Sequence, residues 1–81
     1  MLEDTGYVYK TDESKNKDTK KELVRICIDL VERGYDPVKQ VSEYLISGDP
    51  GYISSYKECR SRIQEFDRAY LVELMLHSYL K

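Results

Sequence analysis

The sequence predicts an all-α protein, a compact domain of four to five helices that forms a homodimer. Three observations favour this fold. Apolar side chains recur with helical spacing in several stretches of the chain. A glycine closely followed by an Asp-Pro pair occurs twice, a pattern typical of one helix ending and the next beginning. The last stretch is apolar around most of its circumference, and a chain of 81 residues has little material with which to cover it.

Residues 1–18 are predicted to be a mobile tail that precedes a helical, dimerising domain over residues 19–81. The tail mixes acidic and basic side chains and has too few apolar ones to offset the entropy cost of ordering it. Within it, Thr5 to Tyr9 favours a short extended segment that could pack on the domain.

The first helix is predicted to begin at Thr19, because Thr19 to Glu22 has the spacing of a capping box. Apolar residues then recur at the spacing of one buried helix face. That predicted face consists of Leu23, Ile26, Cys27, Leu30 and Val31, and it is widened by Val24 and Ile28.

The centre of the chain contains two helix stops and two helix starts in a short space. Aspartate before proline supplies an N-cap and then a residue suited to the first helical position. The predicted turn motif comprises Gly34, Tyr35, Asp36, Pro37, Ser47, Gly48, Asp49, Pro50 and Tyr52. It encloses a second helix over about Pro37 to Ser47, with four inward side chains: Val38, Val41, Tyr44 and Leu45.

The third helix is predicted to begin near Ser54 or Ser55, where Ser55 to Glu58 again has capping-box spacing. Its apolar residues are few: Tyr56, Cys59, Ile63 and Phe66. Asp67 offers an N-cap for a fourth helix, although the sequence leaves open whether helices three and four are continuous. The centre as a whole is similar to a helix-turn-helix.

The fourth helix carries the prediction of a dimer. Its polar stripe is narrow and consists of Glu73, His77 and Lys81, so a second copy of the chain is the simplest cover for the rest. The interface is predicted on helices one and four, at Leu23, Ile26, Leu30, Leu71, Leu74, Met75 and Tyr79.

Composition argues against several functions. With 13 basic and 15 acidic residues the net charge is −2, whereas nucleic-acid-binding proteins normally have a basic excess. We find no nucleophile–base pattern, since His77 pairs naturally with Glu73, and therefore expect no enzyme activity, metal or cofactor. Cys27 and Cys59 are interpreted as reduced, buried thiols, and a disulfide would require export. Without a signal peptide or membrane-spanning run, a cytoplasmic location is expected.

Two binding functions stay open at this point. A DNA-binding helix-turn-helix would use Lys57, Arg60 and Arg62, but acidic neighbours interrupt that patch and make nucleic acid an unlikely partner. A peptide-binding adaptor would instead need a groove of tyrosines, formed by Tyr35, Tyr44, Tyr52 and Tyr56.

The central stretch resembles one known family. Glu32 to Gln40 reads Glu-Arg-Gly-Tyr-Asp-Pro-Val-Lys-Gln, and Tyr44 to Ile53 reads Tyr-Leu-Ile-Ser-Gly-Asp-Pro-Gly-Tyr-Ile. Both stretches, at this separation, are similar to the IreB (YrzL-like) family of small bacterial proteins. The resemblance covers residues 19–81 well and the first eighteen more loosely.

The resemblance implies an all-α homodimer without enzyme activity. It further implies a regulator that is phosphorylated, on a threonine near the N-terminus, by a transmembrane serine/threonine kinase of cell-envelope stress signalling, and that acts on an unknown downstream protein. By position Thr5 matches the phosphoacceptor, with Thr11 as a second candidate. A phosphorylated tail could bind a basic surface. The predicted phosphate-docking residues are Lys57, Arg60, Arg62 and Arg68.

Overall fold

The computed structural model describes residues 13–81, with side chains from residue 14 onward. This part of the chain is all-helical, as predicted. Helix α1 spans Glu13–Glu32, α2 spans Pro37–Ser47, α3 spans Cys59–Ile63 and α4 spans Arg68–Tyr79. Two 3₁₀ turns, Pro50–Tyr52 and Tyr56–Glu58, lie between α2 and α3. Helix α1 packs against α2 and α3, and α4 packs against α2.

Helix α1 begins earlier than the capping box predicted. Residues 13–18, expected to be part of the tail, are helical, and Thr19 is buried inside the helix with 3% of its surface exposed. The added turns pack on α4, because the Tyr70 hydroxyl donates a hydrogen bond to Asn16 Oδ1 and Lys15 Nζ lies 5.1 Å from the centre of the Tyr70 ring. These tertiary contacts outweigh a local capping signal.

The ends of α1 and α2 follow the predicted pattern. Gly34 has a φ of +97° and closes α1 with a Schellman motif, in which the amides of Gly34 and Tyr35 donate to Val31 and Leu30. Asp36 is the N-cap of α2 and accepts hydrogen bonds from two backbone amides. The predicted bounds of α2 are confirmed.

The third helix is shorter than predicted. Ser55 makes no capping hydrogen bond with its side chain, and Lys57 and Glu58 both have positive φ, +50° and +63°. Such backbone is costly for residues other than glycine and persists only where surrounding contacts compensate. Helix α3 therefore begins only at Cys59. Asp67 caps α4 by accepting a bond from the Tyr70 amide, so helices three and four are separate.

The core is a single cluster to which α1 to α4 and the connection between α2 and α3 all contribute. Its buried members are Ile26, Leu30, Val41, Tyr44, Ile53, Cys59, Ile63 and Leu71. Four side chains predicted to face inward are exposed instead: Val24 (46%), Ile28 (58%), Val31 (58%) and Val38 (76%). They lie on helix faces that no other element of the described chain covers.

Candidate functional site

The central motif builds the connection between α2 and α3. Gly48 has a φ of +80° and ends α2, and Asp49 caps the following 3₁₀ turn by accepting a hydrogen bond of 2.8 Å from the Gly51 amide. The Ser47 hydroxyl donates to the Glu43 carbonyl and accepts from the Asp49 amide. Local hydrogen bonding thus accounts for both aspartates that directly precede a proline.

Two further hydrogen bonds attach this connection to α2 and α3. The Ser54 amide donates to Gln40 Oε1 at 3.0 Å, and Arg60 Nε donates to the Ile53 carbonyl at 2.8 Å. Ile53 itself is completely buried. Nothing in the sequence except the place of Gln40 in the motif indicates this role.

Arg62, a predicted phosphate-docking residue, binds two carboxylates of α1. Its Nε donates to Glu22 at 2.7 Å and its Nη1 to Asp29 at 2.8 Å. These two partners raise the pKa of Arg62 above its ordinary value. Glu22 and Asp29 lie two turns apart on α1, so one guanidinium ties α3 to both positions.

Lys57 is held in the same way at the end of α1. Its Nζ lies 2.8 Å from Glu32 and 3.9 Å from Asp29, and the Tyr56 hydroxyl donates to the same Glu32 carboxylate. The hydrogen bond from Lys57 lowers the pKa of Glu32, and the same bond raises the pKa of Lys57.

The two remaining docking candidates bind backbone carbonyls. Arg60 donates to Ile53, as described above, and Arg68 Nη1 donates to the Leu45 carbonyl at 2.9 Å. The structure therefore brings Lys57 and Arg62 together on the acidic side of α1 and places Arg60 and Arg68 elsewhere. The predicted phosphoacceptors Thr5 and Thr11 lie outside the described residues.

Three residues of the predicted dimer interface belong to the protomer's own core. Ile26, Leu30 and Leu71 are completely buried, so they leave no surface for a second chain, and their assignment to the interface is corrected. Helical spacing identified them as buried but did not reveal which partner buries them. Leu23 and Leu74 are half-buried, whereas the last two predicted residues, Met75 and Tyr79, are 37% and 84% exposed.

Two apolar surfaces of the described chain face solvent. The first, which we call the α1 face, forms a groove of about 370 Å³ lined by Leu23, Val24, Cys27, Ile28 and Val31. The second, the α2–α4 face, forms a groove of about 440 Å³ lined by Ser42, Leu45, Ile46, Val72, Met75, Leu76 and Tyr79. Ile46 is 84% exposed there. Exposed apolar patches of this kind mark surfaces of interaction.

The tyrosines predicted for a peptide-binding groove are placed differently from one another. Tyr44 is 5% exposed and belongs to the core. Tyr56 is half-buried and bonded to Glu32, with the Arg33 guanidinium 6.0 Å from its ring centre. Tyr35 and Tyr52 are about half exposed. Tyr44 therefore cannot line an open groove.

Both cysteines are free thiols, and burial raises the pKa of each. No three His, Cys, Asp or Glu side chains within the described part of the chain lie together as metal ligands would. None of its helices has both the length and the apolar character needed to cross a bilayer.

Comparison with known proteins adds the deciding observation. The sequence model of the family described as "IreB regulatory phosphoprotein" matches residues 4–81. This chain belongs to the IreB family. A UPF0297 protein of Ruminiclostridium cellulolyticum is similar to it, with 39% identity over 74 residues that cover 91% of this chain and 84% of the relative.

Membership of the IreB family confirms the resemblance seen in the central motif. The caps and turns of that motif shape the fold, since Asp36 and Asp49 begin helical segments and Gly48 ends one. The family description adds a regulatory role and phosphorylation, and the match to the IreB family extends into the N-terminal segment where Thr5 and Thr11 lie.

Proposed function

We propose that this protein is a non-enzymatic, homodimeric regulator in the cytoplasm and a substrate of a transmembrane serine/threonine kinase in cell-envelope stress signalling. The observation that carries the proposal is the match to a family of regulatory phosphoproteins over residues 4–81. Thr5 is the proposed phosphoacceptor, with Thr11 as the second candidate. Phosphorylation would alter binding to a downstream protein.

The exposed apolar surfaces support the dimer. Leu76 is 54% exposed and Tyr79 is 84% exposed on the α2–α4 face, and burying such side chains is worth about 1.5–3 kcal/mol each when complete. A two-fold axis can bring the same face of two copies together. We therefore place the main dimer contact on the α2–α4 face and expect the α1 face to contribute less, because a single helix lines it.

The described structure offers less support for DNA binding. Helix α3 has 5 residues, too short for a recognition helix that reads several base pairs. Lys57, Arg60 and Arg62 would also have to give up the hydrogen bonds described above. A regulator that acts through protein contacts is the better supported function.

Phosphorylation is tested by incubating the chain with the cytoplasmic domain of such a kinase and mapping phosphate by mass spectrometry. We expect phosphothreonine within residues 1–12, largely lost in Thr5→Ala and little changed in Thr11→Ala. The double variant serves as the negative control. Phosphate confined to residues 13–81, or none at all, would contradict the proposal.

The dimer is tested by sedimentation at micromolar concentration. We expect the wild type to sediment as two chains and Leu76→Asp to weaken dimerisation at least tenfold, or about 1.4 kcal/mol, because an unpaired carboxylate would be buried. Glu73→Gln on the same helix is the matched control, and Ile28→Asp measures the contribution of the α1 face. A monomeric wild type would refute the dimer, and a fully dimeric Leu76→Asp would refute its placement.

A further inference from the structure

A groove lined by lysines lies between the first turns of α1 and the end of α4. Its volume is about 320 Å³, and the side chain of Leu74 contributes to its wall. The polar residues that line it are Asn16, Lys17, Lys20, His77, Ser78 and Lys81. All six can donate hydrogen bonds, and no carboxylate side chain is among the described residues of the lining.

The lysines of this groove differ from the cations paired with carboxylates elsewhere. Within residues 13–81, Lys17, Lys20 and Lys81 form no ion pair, whereas Lys57 and Arg62 each bind two carboxylates. Neighbouring cations that form no ion pair repel one another, and a bound anion relieves that repulsion. The dipole at the end of α4 favours a cation such as Lys81, but it does not account for two lysines on α1.

The position of the groove points to a segment of the same chain. Lys17 lies one turn after Glu13, about 6 Å along the helix axis from the point where residues 1–12 join α1. Thr5 precedes Glu13 by eight residues, which can span up to roughly 26 Å when extended. The chain can therefore reverse direction and bring Thr5 back to the groove.

We propose that this groove binds the phosphate of a phosphorylated threonine in residues 1–12 of the same chain. The inference rests on the proposed function, because that function supplies the phosphate. A phosphothreonine carries a charge of about −1.5 to −2 and three acceptor oxygens, which several ammonium groups can satisfy together. The cluster predicted from sequence is a poorer receptor, since a phosphate there would displace the carboxylates that bind Arg62 and Lys57.

The test uses the full chain with phosphothreonine installed synthetically at position 5, and separately at position 11. In a ¹⁵N spectrum we expect the backbone amides of Lys17, Lys20 and residues 77–81 to shift relative to the unphosphorylated chain. The shifts should be lost in Lys17→Gln/Lys20→Gln and kept in the matched control Lys57→Gln. They should also fade at about 1 M salt, where charges are screened within about 3 Å.

Three outcomes would overturn the inference. The groove amides fail to shift with phosphate at either position, the shifts survive Lys17→Gln/Lys20→Gln, or Lys57→Gln removes them instead. Mixing ¹⁵N-labelled unphosphorylated chain with unlabelled phosphorylated chain adds a fourth, because groove shifts in the labelled chain would place the phosphate in another subunit. The phosphate is installed without a kinase, so the two proposals are tested separately. An absence of groove shifts would not refute phosphorylation by a kinase, and an absence of phosphorylation by a kinase would not refute binding of the installed phosphate to the groove.

Discussion

Arg62 donates a hydrogen bond of 2.7 Å to Glu22, forty residues earlier in the chain, and with Asp29 this contact joins α3 to α1. The Arg62 side chain is 24% exposed and that of Glu22 is 30% exposed, so solvent screens the charges only in part. Arg62 binds the two carboxylates through two different nitrogens of its rigid guanidinium, whereas a lysine has a single nitrogen for both.

We expect Arg62→Met to lower the free energy of unfolding by about 1–2 kcal/mol, because two partly buried carboxylates lose their partner. Arg62→Lys should recover only part of the loss. Urea denaturation of Arg62→Met, Glu22→Gln and the double variant measures the coupling between the two residues. A coupling below about 0.3 kcal/mol would show that the contact adds nothing beyond independent effects.

Glu32 should make stability depend on pH. The hydrogen bond from Lys57 lowers the folded-state pKa of Glu32 below its ordinary value of 4.5. The stability that this contact contributes is therefore present above pH 4.5 and is lost as the pH falls through the folded-state pKa. We expect the difference in Tm between wild type and Glu32→Gln to be largest near neutral pH and to vanish in acid.

Thermal melts across this pH range check the prediction for Glu32. Glu65→Gln is the matched control, since Glu65 makes no ion pair within residues 13–81. If the Tm difference between wild type and Glu32→Gln stays constant from neutral to acidic pH, the ion pair with Lys57 is not the cause.

Gly48 and Gly34 allow strain and crowding to be separated. Both have positive φ, but a Cβ on Gly48 would lie 2.9 Å from the Arg68 guanidinium, whereas a Cβ on Gly34 would have no neighbour within 4 Å. We expect Gly34→Ala to cost about 1 kcal/mol from backbone strain alone, and Gly48→Ala to cost more because Arg68 must leave the Leu45 carbonyl. Denaturant melts of both variants measure the difference between their losses in the free energy of unfolding. In an Arg68→Ala background this difference should disappear.

Cys59 should report on global unfolding. It is completely buried, its Sγ donates to the Ile26 carbonyl at 3.7 Å, and burial raises its pKa, so little reactive thiolate is present. Iodoacetamide should label half-buried Cys27 faster than Cys59 under native conditions. Mass spectrometry at increasing urea should show labelling of Cys59 rising with loss of the fold, and equal native rates would contradict this.

The helix ends of the centre could be predicted from sequence because their causes are local. Asp36 caps α2 through its own neighbours, and Gly48 ends the helix because a glycine adopts positive φ at little cost. The start of α1 could not be predicted in this way. The contact of Asn16 with Tyr70 spans 54 residues, and no local pattern at Thr19 reveals it.

The candidate site was harder to predict than the fold. The basic residues could be identified from the sequence, but the sequence does not show which of them form ion pairs within the fold. Arg62 is bound by Glu22 and Asp29, whereas Lys17 and Lys20 form no ion pair within residues 13–81. That distinction depends on which helices meet. The same is true of the dimer, since spacing marks Leu71 and Leu76 as apolar without showing that only Leu71 is buried by its own chain.

The burial of Thr19 in the middle of α1 bears on how phosphate maps of this protein are interpreted. The chain has three threonines, and the hydroxyl of this one becomes accessible to an enzyme only when local unfolding exposes it. Phosphate found at Thr19 in protein from cells would therefore come from molecules that were modified before folding or after unfolding. The fraction of chains phosphorylated at Thr19 would thus measure how much of the protein had been unfolded in the cell.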